Sequence, residues 1–494
     1  MTVARRRLKT CIGAAVSANP WITGVASDSR ALRRGELFVA IRGASHDGHD
    51  FVDEAIAAGA RAIVVERVDR DVGAKPVPVV RVADTRLEAG RIASRFYGNP
   101  SRKIGCIGVT GTNGKTSVAH FCAELLSRCG MPAGYAGTLG WTFGGRRCRG
   151  GLTTEDAITV QKRLDALVGY GAKWVAMEAS SHALDQHRVD AVEFRIAVFT
   201  NLTRDHLDYH GSMARYGAAK ARLFAWPSLE AAIVNVDDAF GRAMLASLPS
   251  TVRAVRVGRA PDADIAFRDA VFHDAGVTAT LVTPFGEARL ELALMGDFML
   301  DNVAAAFGAA HAAGAPFDAL LRALPALESP PGRMQFLRAP QRAPVVVDYA
   351  HTPDALEKLL AAARRHCRGR IVCVFGCGGD RDTGKRALMA AAVEAGADRA
   401  IVTNDNPRSE DPAAIADAIE RGFTGKIEHV RELDRARAIA IAIEGAEPSD
   451  LIVVAGKGHE DYQEIHGARV HFSDVEAVEA AWHGARSESE RDPA

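Results

Sequence analysis

The chain has 494 residues, is 48% hydrophobic and 25% charged, and carries a formal net charge of zero. That is material for about two to four domains, with neither the basic footprint of a nucleic-acid binder nor that of a membrane-surface protein. No run approaches the ~20 apolar residues of a membrane span, and Arg5-Arg6-Arg7 lacks the apolar stretch that follows a signal-peptide start.

The eight cysteines are scattered without C-x-x-C pairs. Cys106, Cys122 and Cys373 lie in apolar runs, so buried thiols and a reducing, cytoplasmic setting are expected. The first 98 residues read as a small α/β unit. Strands are predicted over 36–41 and 60–65, and helices over 51–58 and 87–96. Two polar turns interrupt it, Ser27-Asp28-Ser29-Arg30 and Gly43 to Gly48. Tyr97-Gly98-Asn99-Pro100 is a linker signal.

The next unit opens on an apolar strand, 104–110, followed by Gly111-Thr112-Asn113-Gly114-Lys115-Thr116. Then Val118, Phe121, Cys122, Leu125 and Leu126 share one helical face, which Gly130 and Pro132 end. Glycines between a strand and a helix place backbone N–H groups and the helix N-terminus against an anion. Lys115 adds a charge for the β/γ-phosphates and Thr116 a hydroxyl for Mg²⁺. The strict P-loop has Gly where this chain has Val109, so the match is to the shorter G-x-x-G-K-T form. Strands over 174–179, 194–200 and 232–236 end in Glu178 to His182, Asn201 to Asp208, and Asp237-Asp238. In open α/β sheets ligands gather at such carboxyl ends, and these acids and hydroxyls suit Mg²⁺ with substrate phosphate. Lys220 sits in a short amphipathic helix, 216–224, where spacing alone reads it as a surface charge. Alternating segments over 260–295 predict antiparallel strands. A helix over 299–313 carries Asn302, and Pro330 to Arg333 reads as a second linker.

The last unit alternates strands (345–348, 371–375, 399–403, 451–455 and a weaker one near Ile427) with helices starting at Pro353, Lys385, Pro412 and Asp434. This is a second βαβ sheet without a P-loop. Its strand ends are again polar, and the tail after His483 reads as frayed.

Taken together, the DSR turn at 28–30, GTNGKT at 111–116, MEASSH at 177–182, TNLTRDHLD at 200–208, Lys220, GR at 332–333 and DYAHTPDA at 348–355 resemble the Mur ligases. These are the ATP-dependent amide ligases that build the peptidoglycan stem peptide. GCGGDRD at 376–382, DNPR at 405–408 and GKGHED at 456–461 resemble the branch that adds meso-diaminopimelate rather than L-lysine. The resemblance implies an α/β protein of three domains: a UDP-sugar-binding domain at 1–98, a central P-loop ATPase-type parallel-sheet domain at 99–332, and a Rossmann-like amino-acid domain at 333–494. It implies that Ser27, Ser29, Ala44, Ser45 and His46 hold the UDP end of the nucleotide sugar. Ser27 stands where an apolar residue often packs on uracil. Thr153, Thr154, Ser180, Gln186 and Arg188 would hold the muramoyl-dipeptide. Gly111 to Thr116, Asn302, Arg333 and Asp348 would bind ATP. Mg²⁺ would sit among Thr116, Glu178, His206 and Lys220, the last as a carbamate. Arg381, Asp405, Asn406, Pro407, Arg408, Gly456 and Glu460 would bind diaminopimelate. His351 is a candidate base by location. The partners are then small molecules, with no nucleic acid or membrane, and a monomer is expected. Two other readings share parts of the pattern: a folylpolyglutamate-synthetase-like glutamate ligase, and a P-loop switch that hydrolyses nucleotide without ligation.

Overall fold

The computed structural model describes residues 5–43, 46–67 and 76–489. The chain forms two compact units, Met1–Ile265 with Asn302–Leu320, and Ala266–Asp301 with Leu321–Ala494.

The first unit holds two main sheets. A four-stranded parallel sheet runs in the order Val25–Ala26, Leu37–Val39, Ala62–Val65, Val79–Arg81. The second sheet has eight strands. Its six parallel strands lie in the order Ala133–Gly137, Trp174–Glu178, Gly105–Thr110, Phe194–Phe199, Ala231–Asn235, Arg253–Val257. An antiparallel hairpin, Gly140–Phe143 and Arg146–Cys148, extends one edge. All six residues of Gly105–Thr110 are buried, as a central strand covered on both faces requires. Helix Lys115–Arg128 follows it directly. Helix Thr85–Phe96 of the small sheet lies close to the central one: a Cβ at Gly90 would be 3.3 Å from both Ala157 and Ala191. Ile158 belongs to the core of the small sheet.

The second unit contains a six-stranded sheet in the order Gln335–Leu337, Val345–Asp348, Leu451–Ala455, Ile371–Phe375, Arg399–Val402, Glu428–Arg431. All but the first strand are parallel. It also contains the antiparallel sheet Ala266–His273, Gly276–Thr283, Gly286–Leu292. The last helix, Asp474–Ser489, remains helical past His483, where the polar composition reads as frayed. Before that point its Val478 and Trp482 join the core of the six-stranded sheet.

The centre of the eight-stranded sheet tolerates little added volume. Gly105 pairs with Trp174, and a Cβ at 105 would lie 2.3 Å from the indole. Gly105→Ala must displace that ring, and overpacking of this kind costs ~1–3 kcal/mol. A thermal midpoint several degrees below wild type is expected; an unchanged midpoint would show that Trp174 relaxes freely.

Candidate active site

The P-loop is held from beneath by the neighbouring strand end. Thr200 Oγ1 donates to Asn113 O at 2.6 Å, and Asn201 Oδ1 accepts from Asn113 N at 3.0 Å. Thr112 Oγ1 meets Thr203 O and Tyr216 OH, both at 3.2 Å. Gly111 has φ +149, and a Cβ there would lie 1.8 Å from Thr200 Oγ1, so only glycine fits. Gly114 has φ +85, and its missing Cβ would be 2.5 Å from Asn302 Oδ1. Asn302 therefore lies against the loop, as the family resemblance implies for a nucleotide contact. Lys115 Nζ donates to Gly111 O at 3.0 Å and Thr112 O at 2.8 Å.

Glu178 ends its strand as a buried carboxylate. Oε1 accepts from Tyr135 OH at 2.5 Å and Thr138 N at 2.9 Å. Oε2 accepts from Thr116 Oγ1 at 3.1 Å and Thr138 Oγ1 at 3.3 Å. Four donors meet this buried carboxylate beside the P-loop. Tyr135 and Thr138 were not marked by the sequence, because Ala133–Gly137 is glycine-rich and carries no apolar run. Among the described residues no group of three or more His, Cys, Asp or Glu is disposed to hold a metal. An all-protein cage is thus absent there. The Thr116 and Glu178 oxygens nevertheless suit Mg²⁺, which takes one or two carboxylates and completes its shell with water and substrate phosphate. The acids at the third strand end serve the backbone instead. Asp237 accepts from Arg259 N and Ala260 N. Asp238 caps helix Ala239–Leu245 and accepts from Leu202 N at 2.7 Å.

Lys220 is a core residue, 1% exposed, which overturns the surface charge that spacing alone suggests. Nζ donates to Gly111 O at 2.7 Å and lies 4.2 Å from the Tyr216 ring centroid. Burial, and then the charge of Lys115, push its pKa down to about 6 against a smaller opposing pull from Asp205. His206, at φ +51, stands exposed beside Asp205, with its ring 4.8 Å from His182 and 6.0 Å from Tyr216.

The implied dipeptide-binding residues form one network. Thr154 Oγ1 donates to Glu178 O at 2.7 Å and accepts from Ser180 N at 3.1 Å. Thr153 Oγ1 accepts from Thr138 Oγ1 at 3.2 Å. Arg188 donates to Thr154 O at 3.0 Å and to Gln186 Oε1. In the small sheet, Ser29 Oγ donates to Glu54 at 3.0 Å, while Ser27 is half-buried and His46 exposed. Ala44 and Ser45 lie outside the described residues.

The second unit gathers its own polar strand ends. Asp348 accepts from Met334 N and Ala350 N, both at 2.8 Å, and burial raises its pKa against the pull of Arg333. The Arg333 guanidinium lies 4.7 Å from the Tyr349 ring centroid. His351 is exposed, with Nδ1 donating to Tyr349 O at 2.8 Å, which leaves Nε2 as the acceptor. Asn406 is fixed on three sides: Nδ2 donates to Glu460 at 2.8 Å, and Oδ1 accepts from Lys457 Nζ at 3.1 Å and Glu464 N at 3.0 Å. Arg408, at φ +53, is held through its backbone by Glu464 O and His466 N, and its Nη1 donates to Gly379 O at 2.5 Å. Arg381 is exposed on the loop after Ile371–Phe375.

A P-loop on a parallel sheet, with a carboxylate and a buried lysine at its mouth and a second βαβ sheet in the same chain, defines an ATP-dependent ligase of the Mur type. The chain belongs to the Mur ligase family. It matches the Mur ligase family catalytic domain over 21–97, the Mur ligase middle domain over 109–310 and the Mur ligase glutamate ligase domain over 332–458. The UDP-N-acetylmuramoyl-L-alanyl-D-glutamate–2,6-diaminopimelate ligase of Pseudomonas putida is 50% identical over 94% of this chain and 96% of its own. That of Pseudomonas aeruginosa is 49% identical over 92% and 94%. A solved structure of a ligase of that name superposes with a TM-score of 0.72 at 36% identity, covering 98% of this chain and 99% of the other. A Mycobacterium tuberculosis folylpolyglutamate synthase solved with ADP and AMPPCP shares the fold at TM-score 0.60 and 21% identity, over 83% of this chain and 96% of its own.

Gly456 gives a test of the second unit's site. It has φ +115, and a Cβ there would sit 2.6 Å from Asp405 Oδ2. Gly456→Ala should strain the backbone and move the carboxylate. We expect a raised KM for the amino acid with KM for ATP unchanged; equal KM values in variant and wild type would remove Gly456 from the site.

Proposed function

We infer that the protein joins meso-diaminopimelate to the D-glutamyl side-chain carboxylate of UDP-N-acetylmuramoyl-L-alanyl-D-glutamate, with ATP cleaved to ADP and phosphate. The observation that carries this reading is the grouping of Lys115, Thr116, Glu178 and buried Lys220 at one edge of the parallel sheet. The names of relatives at about half identity over nearly the whole chain support the substrates. The three domains are proposed at 1–98, 99–332 and 333–494, with small molecules as the only partners, a cytoplasmic location and a monomeric state.

A carboxylate does not condense with an amine in water. Its oxygen attacks the γ-phosphorus, ADP leaves, and an acyl phosphate forms. The amine then attacks the acyl carbon, phosphate leaves, and the nitrogen gives up a proton. The first step brings two anions together. Lys115 and the P-loop N–H groups offset that repulsion by preorganised charge. Thr116 and Glu178 would hold Mg²⁺, with His206 and a Lys220 carbamate as its further proposed neighbours. The ion supplies charge neutralisation on the phosphates when bound. Thr153, Thr154, Ser180, Gln186 and Arg188 are proposed to orient the dipeptide, and Ser27, Ser29, Ala44, Ser45 and His46 the uridine end. Asn302, Arg333 and Asp348 are assigned to ATP. His351, with Nε2 as an acceptor, is the proposed proton acceptor.

The decisive experiment measures phosphate release and product mass with each substrate omitted in turn. Phosphate should form only when all three are present. Equal release without diaminopimelate would favour a nucleotide switch instead.

Lys220 gives a second test. Above pH about 6 its amine is largely neutral, and a neutral amine adds CO₂ to become an anionic carbamate. Activity should fall as pH drops through that value, because protonation removes the nucleophilic lone pair. CO₂-depleted enzyme should lose activity and regain it with bicarbonate. ¹³C-bicarbonate should give a carbamate signal in wild type and none in Lys220→Ala. A fully active enzyme without that signal would refute the carbamate.

Amino-acid choice is assigned to Arg408. Diaminopimelate differs from lysine by one distal carboxylate, and a guanidinium can pair that group with two parallel bonds. Lysine would leave the guanidinium without a carboxylate partner, and such sites reject the analogue lacking that group by ~10⁴-fold or more. Arg408→Ala should cost ~2–5 kcal/mol in kcat/KM for diaminopimelate without creating an efficient lysine ligase. Equal use of both amino acids by wild type would sink this assignment.

A further inference from the structure

Arg435 opens helix Arg435–Glu444, and its side chain is wholly enclosed. Nε and Nη2 form a two-pronged pair with Asp474, at 2.6 and 2.8 Å. Nη2 also donates to Ala455 O at 2.9 Å, and Nη1 to Asn404 O at 3.2 Å. A buried ion pair is weak evidence for stability, because desolvation offsets the attraction. The two carbonyls supply another reason for this one. Asn404 immediately precedes Asp405, and Ala455 immediately precedes Gly456. Their strands are not neighbours: Ile371–Phe375 lies between Arg399–Val402 and Leu451–Ala455. One guanidinium therefore clamps two strand ends across a third.

The charges around it agree with that role. Asp405 is buried, and among the described residues no hydrogen-bond donor meets its carboxylate. Burial raises its pKa, and Arg435, ahead of Lys457, opposes the rise. Asp405, Glu460 and Asp474 act on Lys457 together with Arg435. An amino-acid ammonium would supply the donor that the Asp405 carboxylate lacks.

We propose that Arg435, locked by Asp474, is a positioning residue for the amino-acid acceptor: it sets the spacing of Asp405 and Gly456. This rests on the diaminopimelate reading above. The test is steady-state kinetics of the full chain with each substrate varied. Arg435→Lys keeps the charge but cannot span two carbonyls and a carboxylate. It should raise KM for diaminopimelate tenfold or more, with kcat within threefold and KM for ATP unchanged. The paired variant Arg435→Met/Asp474→Leu removes both charges at similar volume and carries the test if the single variant does not fold. It should show the same selective loss. A folded paired variant with wild-type KM for diaminopimelate overturns the proposal. So does a loss spread equally over all three substrates, which is the mark of a merely structural pair. A wild-type enzyme indifferent to diaminopimelate would sink the substrate assignment instead, before any variant is made.

Discussion

Two lysine amines converge on one carbonyl oxygen. Gly111 O accepts from Lys115 at 3.0 Å and from Lys220 at 2.7 Å. Two ammonium groups so close repel, and enclosure strengthens the repulsion. Burial first, and that repulsion second, drive the enclosed Lys220 toward the neutral amine. The loop geometry makes the encounter unavoidable. Gly111 can adopt its φ only without a side chain, and Thr200 fills the space a Cβ would need. The rest of the first unit's site is arranged around that carbonyl. Thr112 ties the loop to Tyr216 on the helix that carries Lys220, and Thr116 ties it to Glu178.

The second unit solves a different electrostatic problem with the same economy of groups. Its site is built from carboxylates that burial would neutralise. Each faces cations supplied from outside the strands: Arg333 faces Asp348, and Arg435 with Lys457 faces Asp405. Asn406 is oriented so that its oxygen meets Lys457 and its nitrogen meets Glu460. The amide's two ends thereby sort positive from negative charge within one small volume.

Much of this was legible in the sequence, and the limits are physical. Apolar runs ending in glycine or polar residues located the central strands 105–110, 174–178 and 194–199 and the last sheet's strands at 345–348, 371–375 and 451–455. Buried parallel strands read as continuous hydrophobic segments. The strands Ala133–Gly137 and Gly140–Phe143 are glycine-rich and carry no such run, and they were missed together with helix Ala157–Gly169. The P-loop was evident because its spacing is local. Lys220 as a core residue was not, because its burial depends on Gly111, 109 positions away. Asp237 and Asp238 looked like site acids by position, yet their oxygens are committed to backbone N–H groups. Arg435 and Asp474 are 39 positions apart, and neither sits in a pattern that marks the other.

The strand order of the last sheet has a consequence for how the chain comes to be folded. Leu451–Ala455 is the final parallel strand in sequence, yet it lies between Val345–Asp348 and Ile371–Phe375. Until it has left the ribosome, those two earlier strands each present an unpaired parallel edge. Pairings between segments so distant in sequence form slowly, and open edges are where chains join one another wrongly. Nascent protein shorter than about 455 residues is therefore the species most in need of a chaperone. A chain interrupted before Leu451 has a sheet with its middle strand missing.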